Sequence, residues 1–274
     1  MLDITIVIPT KNEEKNLPGC IASIGKNFSS EIVLVDSGSS DRTKEIAYEN
    51  GISVIEFNWN GQFPKKRNWY LRNHRPKTEW VLFIDADEYL TEEFKQELEQ
   101  KLNCNNNFVG YWLNYSIYFL GKKLKGGYPL TKLALFKVGS GEYERIDEER
   151  WSNHDMEIHE HPILTGEVGT IKSKIDHQDF RGISHYINKH NEYASWEASR
   201  YLMDIEDISK TSKWTWKQKI KYKLVESVFV GPIYFIGSFF FMGGFKDGKI
   251  GFTFAILKMS YFTQIYCKIK ELRN

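Results

Sequence analysis

The sequence has few cysteines, and none lies near another. Cys20, Cys104 and Cys267 are scattered over 274 residues without a C-x-x-C pair. That spacing excludes a disulfide framework and a cysteine-held structural zinc, and it fits a reducing compartment. No leader is evident either. Met1 runs almost directly into Ile4 to Ile8 (ITIVI), so no cleavable signal peptide is expected. Apolar runs of spanning length are scarce. Val228 to Phe245 holds 18 uncharged residues, the lower limit for a membrane-crossing helix, but Gly231-Pro232, Gly237 and Gly243-Gly244 interrupt it. Ile250 to Cys267 is broken by Lys258. Charge of one sign is also not in excess, since Lys+Arg 37 against Asp+Glu 36 leaves +1.

That balance hides an asymmetry. From Ser209 to Asn274 there are 12 Lys/Arg and 3 Asp/Glu, a net of +9, so the preceding 208 residues carry −8. An acidic body argues against nucleic acid as a partner. The basic tail, with KWTWKQKIKYK (213–223) interleaving cations and aromatics, fits an anionic membrane surface. Helices lying in the interface are the expectation there, with lysines on headgroups and rings at the boundary, and a single-pass span or helices packed into the core are the alternatives.

Trp80 to Leu90 (WVLFIDADEYL) is the stretch around which the chain is organised. Trp80 to Ile84 is apolar without alternation, as in a parallel strand buried on both faces. It stops in Asp85-Ala86-Asp87-Glu88. Carboxyl ends of strands form the ligand crevice of an open α/β sheet, and acids packed this closely suit a hard divalent cation that also takes phosphate oxygens. Thr91 to Glu93 reads separately as a helix N-terminus capped by Thr91.

Around this stretch the chain alternates strands and helices. ITIVI is a first strand, and Leu17, Cys20, Ile21 and Ile24 follow at helical spacing. Glu31 to Val35 is a second strand that ends in Asp36-Ser37-Gly38-Ser39-Ser40-Asp41, with Asp41 placed to cap a helix near Thr43. Ile52 to Phe57 is a third. The alternation predicts βαβ units, with phosphate-type ligands at the strand ends. Phe108 to Leu120 and Leu133 to Val138 are further strands, joined across the lysine turn Gly121 to Gly127 (GKKLKGG). In Trp151 to Pro162 (WSNHDMEIHEHP), His154, His159 and His161 offer a zinc reading without HExxH spacing. Asp155, Glu157 and Glu160 in the same segment offer a carboxylate base. Most of His177, Asp179, Arg181, His185, Lys189 and His190 read as ordinary surface or interface residues.

VIPTKNEE, LVDSGSSDRT and FIDADEYL, in that order and spacing over about 90 residues, resemble family 2 glycosyltransferases of the GT-A fold. FNWNGQFPKKRNW resembles the subgroup that includes lipopolysaccharide-core β-1,4-glucosyltransferases, and HEHP, NKHNEYASWEA and GFKDGKIG extend the likeness weakly to the C-terminus. The resemblance implies a Rossmann-like, mostly parallel α/β sheet with flanking helices over 1–208, with a nucleotide half (1–102) and an acceptor half (103–208). Residues 209–274 are expected to form a membrane-associating helical tail. It implies an inverting transfer of a hexose from a UDP-sugar to a lipid-linked or lipid-core glycan, peripheral on the cytoplasmic face of the inner membrane. Pro9, Thr10 and Glu13 would line the nucleotide pocket, and Asp36 would accept from the uracil ring. Lys66 or Arg67 would approach the diphosphate, although by themselves Lys65, Lys66 and Arg67 also read as a solvated basic turn. Asp85 would face the ribose and sugar, and Asp87 would ligate Mn²⁺ or Mg²⁺. Glu160, behind His159, would be the base, with Asp155 and Glu157 as alternates. Lys189 and Asn191 match a family pattern and would border the diphosphate. The rival readings are a HAD-type phosphohydrolase, whose motif continues with Thr where this chain has Tyr89, and a catalytically silent membrane-docking scaffold of the same fold.

Overall fold

The computed structural model describes residues 1–104, 107–127, 129–145, 161–206 and 216–274. In those residues the chain forms two compact units. One takes 1–104, 107–118, 129–145 and 161–180, and the other takes 119–127, 181–206 and 216–274.

The first unit is a twisted α/β sheet. Its strands are β1 (Leu2–Thr10), β2 (Ser29–Asp36), β3 (Ser53–Glu56), β4 (Trp80–Phe83), β5 (Glu88–Tyr89), β6 (Phe108–Phe119), β8 (Leu130–Lys137) and β11 (Glu167–His177), while β7 is the short Lys122–Lys123. The main path runs β3-β2-β1-β4-β8-β6-β11-β5. The β3-β2-β1-β4 half is parallel throughout. β8 enters antiparallel to both β4 and β6, β11 is parallel to β6, and β5 is antiparallel to β11. A separate pair joins β9 (Gly141–Tyr143) to β10 (Pro162–Leu164). Helices α1 (Leu17–Ile24), α2 (Thr43–Glu49), α3 (Lys66–Asn73) and α4 (Glu92–Asn103) form the connections.

The unbroken apolar runs of β1, β2 and β4 are explained by burial on both faces. Ile4, Ile6, Ile8, Leu34, Leu82 and Ile84 pack into one cluster with Phe94 and Leu98 of α4. Val7, Val33, Val35, Val81 and Phe83 pack into another with Tyr70 of α3. Burying each such side chain fully is worth about 1.5–3 kcal/mol, so this half of the sheet anchors the fold. Thr91 caps α4 as expected, its hydroxyl accepting from Phe94 N at 3.1 Å. Asp41 likewise accepts from Thr43 N at 3.0 Å at the start of α2.

The second unit is helical: α5 (Ile183–Glu206), α6 (Trp216–Val225), α7 (Val230–Ile236) and α8 (Gly248–Arg273). Between α7 and α8 lie a π turn (Gly237–Phe241) and a 3₁₀ turn (Gly244–Asp247). Its core joins Ala194, Ala198 and Tyr201 of α5 to Val225, Ile265 and Ile269. α5 therefore groups with the C-terminal helices, whereas the sequence places the domain boundary at 208/209. The interrupting glycines act as expected on the 228–245 run, which breaks into short pieces. Among the described residues no helix is long and apolar enough to cross a membrane.

Candidate donor site at the strand ends

The parallel register brings the functional loops to one edge. Thr10 of β1 pairs with Asp36 of β2, and Ile84 N donates to Val7 O at 3.1 Å, so the chain leaves β1, β2 and β4 side by side. The first two loops are tied to each other. Asn12, which adopts φ 57°, donates from its backbone to Ser39 Oγ (2.8 Å) and accepts from Ser40 N on Oδ1 (2.8 Å). Glu13 N donates to Thr43 Oγ1 (2.8 Å), Glu14 N to Asp41 Oδ2 (3.1 Å), and Arg42 N to Glu14 Oε2 (3.2 Å).

Asp36 is the hub of this pair of loops. It is fully buried and accepts from Ser39 N (2.7 Å), from Ser39 Oγ and from Thr10 Oγ1 (3.2 Å). A carboxylate offers about four acceptor positions, so about one remains for a further donor. Pro9, near the end of β1, and Glu13, on the loop after it, are both half-buried. Glu13 Oε2 accepts from Asn16 Nδ2 at 2.9 Å. Asn16 is fully buried. It also donates to Asp179 Oδ1 (3.1 Å) and accepts from Phe180 N (2.9 Å), which ties the loop after β1 to the segment after β11.

The basic run at the start of α3 is not a solvated turn. Lys65 and Lys66 are buried, at 5% and 8% exposed. Lys66 Nζ donates to Thr10 O at 3.1 Å, and Arg67 meets Asp85 Oδ1 at 2.9 Å. Asn68 holds the helix in place through two hydrogen bonds with the backbone of Tyr143 (2.8 and 2.9 Å).

At the end of β4 the three carboxylates have different neighbours. Asp85 is held between Arg67 and Lys132, whose Nζ is 2.7 Å from Asp85 Oδ2. The same ammonium contacts Glu88 Oε1 at 2.5 Å, and Glu88 Oε2 accepts from Asp85 N at 3.1 Å. Burial pushes the Glu88 carboxyl up to about 7, against the pull of Lys132 and with Asp85 adding to the rise. Burial opposes the charge on Lys132, but Asp85 and Glu88 outweigh it and hold the ammonium well above its ordinary range. The mutual repulsion of the acids is thus met in large part by cations of the chain itself.

Asp87 faces elsewhere. It is 4% exposed, and its Oδ1 lies 3.6 Å from His177 Nε2. The β11–β5 register, His177 opposite Glu88, makes this approach, and Gln178 N donates to Asp87 O at 2.9 Å. One carboxylate oxygen and one imidazole nitrogen at this separation can share a divalent ion, leaving its other positions to phosphate oxygens and water. The imidazole favours Mn²⁺ over Mg²⁺, which prefers an all-oxygen shell. Among the described residues no group of three or more His, Cys, Asp or Glu side chains is arranged for a metal.

Several expectations need correction or fall elsewhere. His177 and Asp179 are not ordinary surface groups: the first stands beside Asp87 and the second holds Asn16. His190 is partly buried in the helical unit, stacked on Tyr186 at 3.8 Å, and Lys189 and Asn191 belong to that unit as well. Glu160, Asp155, Glu157, His154 and His159 lie outside the described residues. His161 is exposed, with its ring 5.8 Å from Trp112.

The profile of glycosyl transferase family 2 matches residues 5–156, and the chain belongs to that family. Its sheet and connections are those of the GT-A fold, and the phosphohydrolase reading is set aside. An uncharacterized glycosyltransferase of Rickettsia prowazekii is 28% identical over 262 residues, 93% of this chain and 84% of that one. The lipopolysaccharide core biosynthesis glycosyltransferase LpsC of Rhizobium meliloti is 27% identical over 272 residues, 95% and 89% of the two chains. Among solved structures, glucosyl-3-phosphoglycerate synthase from Mycobacterium tuberculosis, in complex with Mn²⁺, UDP and phosphoglyceric acid, is 23% identical. It aligns over 43% of each chain with a TM-score of 0.33, a likeness too distant to bear on ligands.

Proposed function

We propose that this glycosyltransferase moves a hexose from a UDP-sugar, with inversion, to a lipid-linked or lipid-core glycan of the cell surface. The observation that carries the donor half is the Asp87–His177 pair, 3.6 Å apart at the strand ends, next to a loop pair organised by Asp36. The acceptor class is supported by the likeness to a lipopolysaccharide core enzyme over most of both chains.

In this reading Asp87 and His177 hold Mn²⁺ or Mg²⁺, whose chemistry there is to offset the charge that grows on the departing UDP. Lys66 and Arg67 stand by the diphosphate and add fixed positive charge. Pro9, Thr10 and Glu13 line the nucleotide pocket. Asp36 shapes that pocket and has one acceptor position for the uracil N–H. Asp85, gripped from two sides by Arg67 and Lys132, turns a fixed carboxylate toward the ribose and sugar. Glu160 takes the proton from the acceptor hydroxyl as its oxygen attacks the anomeric carbon. The direct test is nucleotide release from a panel of sugar donors carried on UDP and on other nucleotides, with and without Mn²⁺. Turnover of one sugar that needs the metal supports the reading. A preference for a donor carrying another nucleotide overturns it.

A further inference from the structure

The helical unit exposes far more large apolar surface than the sheet unit. Twelve of the twenty exposed large apolar side chains among the described residues fall between Trp216 and Ile256. They are ordered in stripes. Phe229, Ile233, Ile236 and Phe240 recur at spacings of four, three and four along α7 and its π turn, which puts them on one helical face. They are 65%, 41%, 46% and 56% exposed. Phe240 packs on Phe239 at 5.1 Å, and Phe239 on Phe252 at 5.6 Å, so the stripe continues onto α8. At its end stands Phe241, 85% exposed.

Beside this apolar tip lies the lysine turn between β6 and β8. Gly127 N donates to Met242 O at 2.9 Å. Lys125 N and Gly126 N both donate to the Asp247 carboxylate, at 2.9–3.0 Å. A methyl group on Gly126 would sit 2.2 Å from the Gly243 carbonyl, so only glycine permits so close an approach. The clamp sets the exposed Lys122, Lys123 and Lys125 against the tip, which adds exposed Lys246 and Lys249 of its own. Asp247 keeps its negative charge while it accepts from these neutral N–H groups, and against the five lysines it leaves the edge at +4. Trp216, Lys219, Ile220 and Lys223 repeat the same mixture on an exposed face of α6.

We propose that the helical unit docks on an anionic lipid bilayer through this composite edge. Phe240, Phe241 and the α7 stripe enter the headgroup region, and the clamped lysine turn binds acidic headgroups. A large apolar patch on a water-exposed protein marks a contact surface, and a lysine fringe beside it matches anionic lipid. No helix among the described residues is long and apolar enough to cross, so the apolar tip is read as inserting shallowly. The proposal rests on the glycosyltransferase reading only for its purpose, which is to bring a lipid-held acceptor to the enzyme.

The test is co-sedimentation of the full chain with vesicles of phosphatidylcholine alone, or mixed with phosphatidylglycerol, across a salt series. The full chain should pellet with the mixed vesicles and be released by salt. F240S/F241S should weaken binding roughly tenfold or more. K122E/K125E should cost about fivefold per lysine and erase the preference for phosphatidylglycerol. The altered side chains are exposed, so circular dichroism should be unchanged. Truncation at Lys213 is a poorer test, because it strips Ile265 and Ile269 from the α5 core. A wild-type chain that ignores both vesicles, or an F240S/F241S variant that pellets equally well, overturns the proposal. So does a wild-type dimer that F240S/F241S dissolves, which would make the face a contact between copies. UDP-sugar hydrolysis measured without vesicles reports the donor site separately, so failure of one reading is not mistaken for failure of the other.

Discussion

The ammonium of Lys132 lies 2.7 Å from Asp85 and links the Arg67–Asp85 pair to Glu88 in one chain of charges. Lys132→Met removes from Glu88, 1% exposed, the cation that contacts it and from Asp85 one of the two cations that grip it. Removing one partner of a buried pair costs about 3–5 kcal/mol. Since the Lys132 side chain is 29% exposed, about 2–3 kcal/mol is expected. Urea denaturation should show the loss, and adding Glu88→Gln should recover part of it. Without that recovery, Lys132 would act through packing and not charge.

Asp87→Asn and His177→Ala should each remove the Mn²⁺-dependent part of UDP affinity while leaving the fold intact. Calorimetric titration of UDP with and without Mn²⁺ reads this directly. Either variant with unchanged metal-dependent affinity drops out of the ligand set.

Glu160→Gln should keep donor binding and lose turnover by about 10²–10⁴-fold, the usual contribution of a positioned base. Single-turnover transfer to the acceptor is the measurement. A loss smaller than roughly tenfold moves the role to Asp155 or Glu157.

The helical unit should lose stability in mild acid because of His190. Burial, with Lys258 and Lys189 adding, depresses its imidazole from 6.5 to about 4. Its Nδ1–H donates to Tyr186 O at 2.8 Å, and Tyr193 and Tyr261 pack around the ring. Between those two values the unfolded chain binds a proton that the folded chain refuses, so stability falls as pH drops from 6.5 toward 4. Going from pH 7 to pH 5 should cost about 2 kcal/mol. His190→Gln should flatten the dependence, and a variant as acid-sensitive as the wild type would assign the effect to other groups.

The sequence shows β1, β2 and β4 clearly because strands covered on both faces need apolar residues at every position. The loops that follow were legible for the same reason, since polar residues end each run abruptly. β11 was harder to read, because Glu167 to His177 alternates and carries lysines. The partnership of His177 with Asp87 depends on an antiparallel register with β5, only two residues long, which leaves no local trace. Lys132 falls outside the strand that the sequence predicts from Leu133, whereas the strand begins at Leu130. A lone lysine in an apolar strand was the one available sign. Asn16 resembles any helix-flanking residue until its three partners are brought together.

The hydrogen bonds between the loop after β1 and the loop after β2 also bear on transplantation. Asn12, Glu13 and Glu14 each need a specific group from Ser39 to Thr43, so neither loop is a free-standing cassette. Moving DSGSSDRT into a relative that lacks KNEE would leave the backbone N–H groups of Ser40 and Arg42 without the Asn12 and Glu14 side-chain acceptors, while moving the two together should succeed. Substitutions in these segments are therefore expected to drift in pairs, and a chimera that exchanges one loop alone should express poorly even where its sheet is identical.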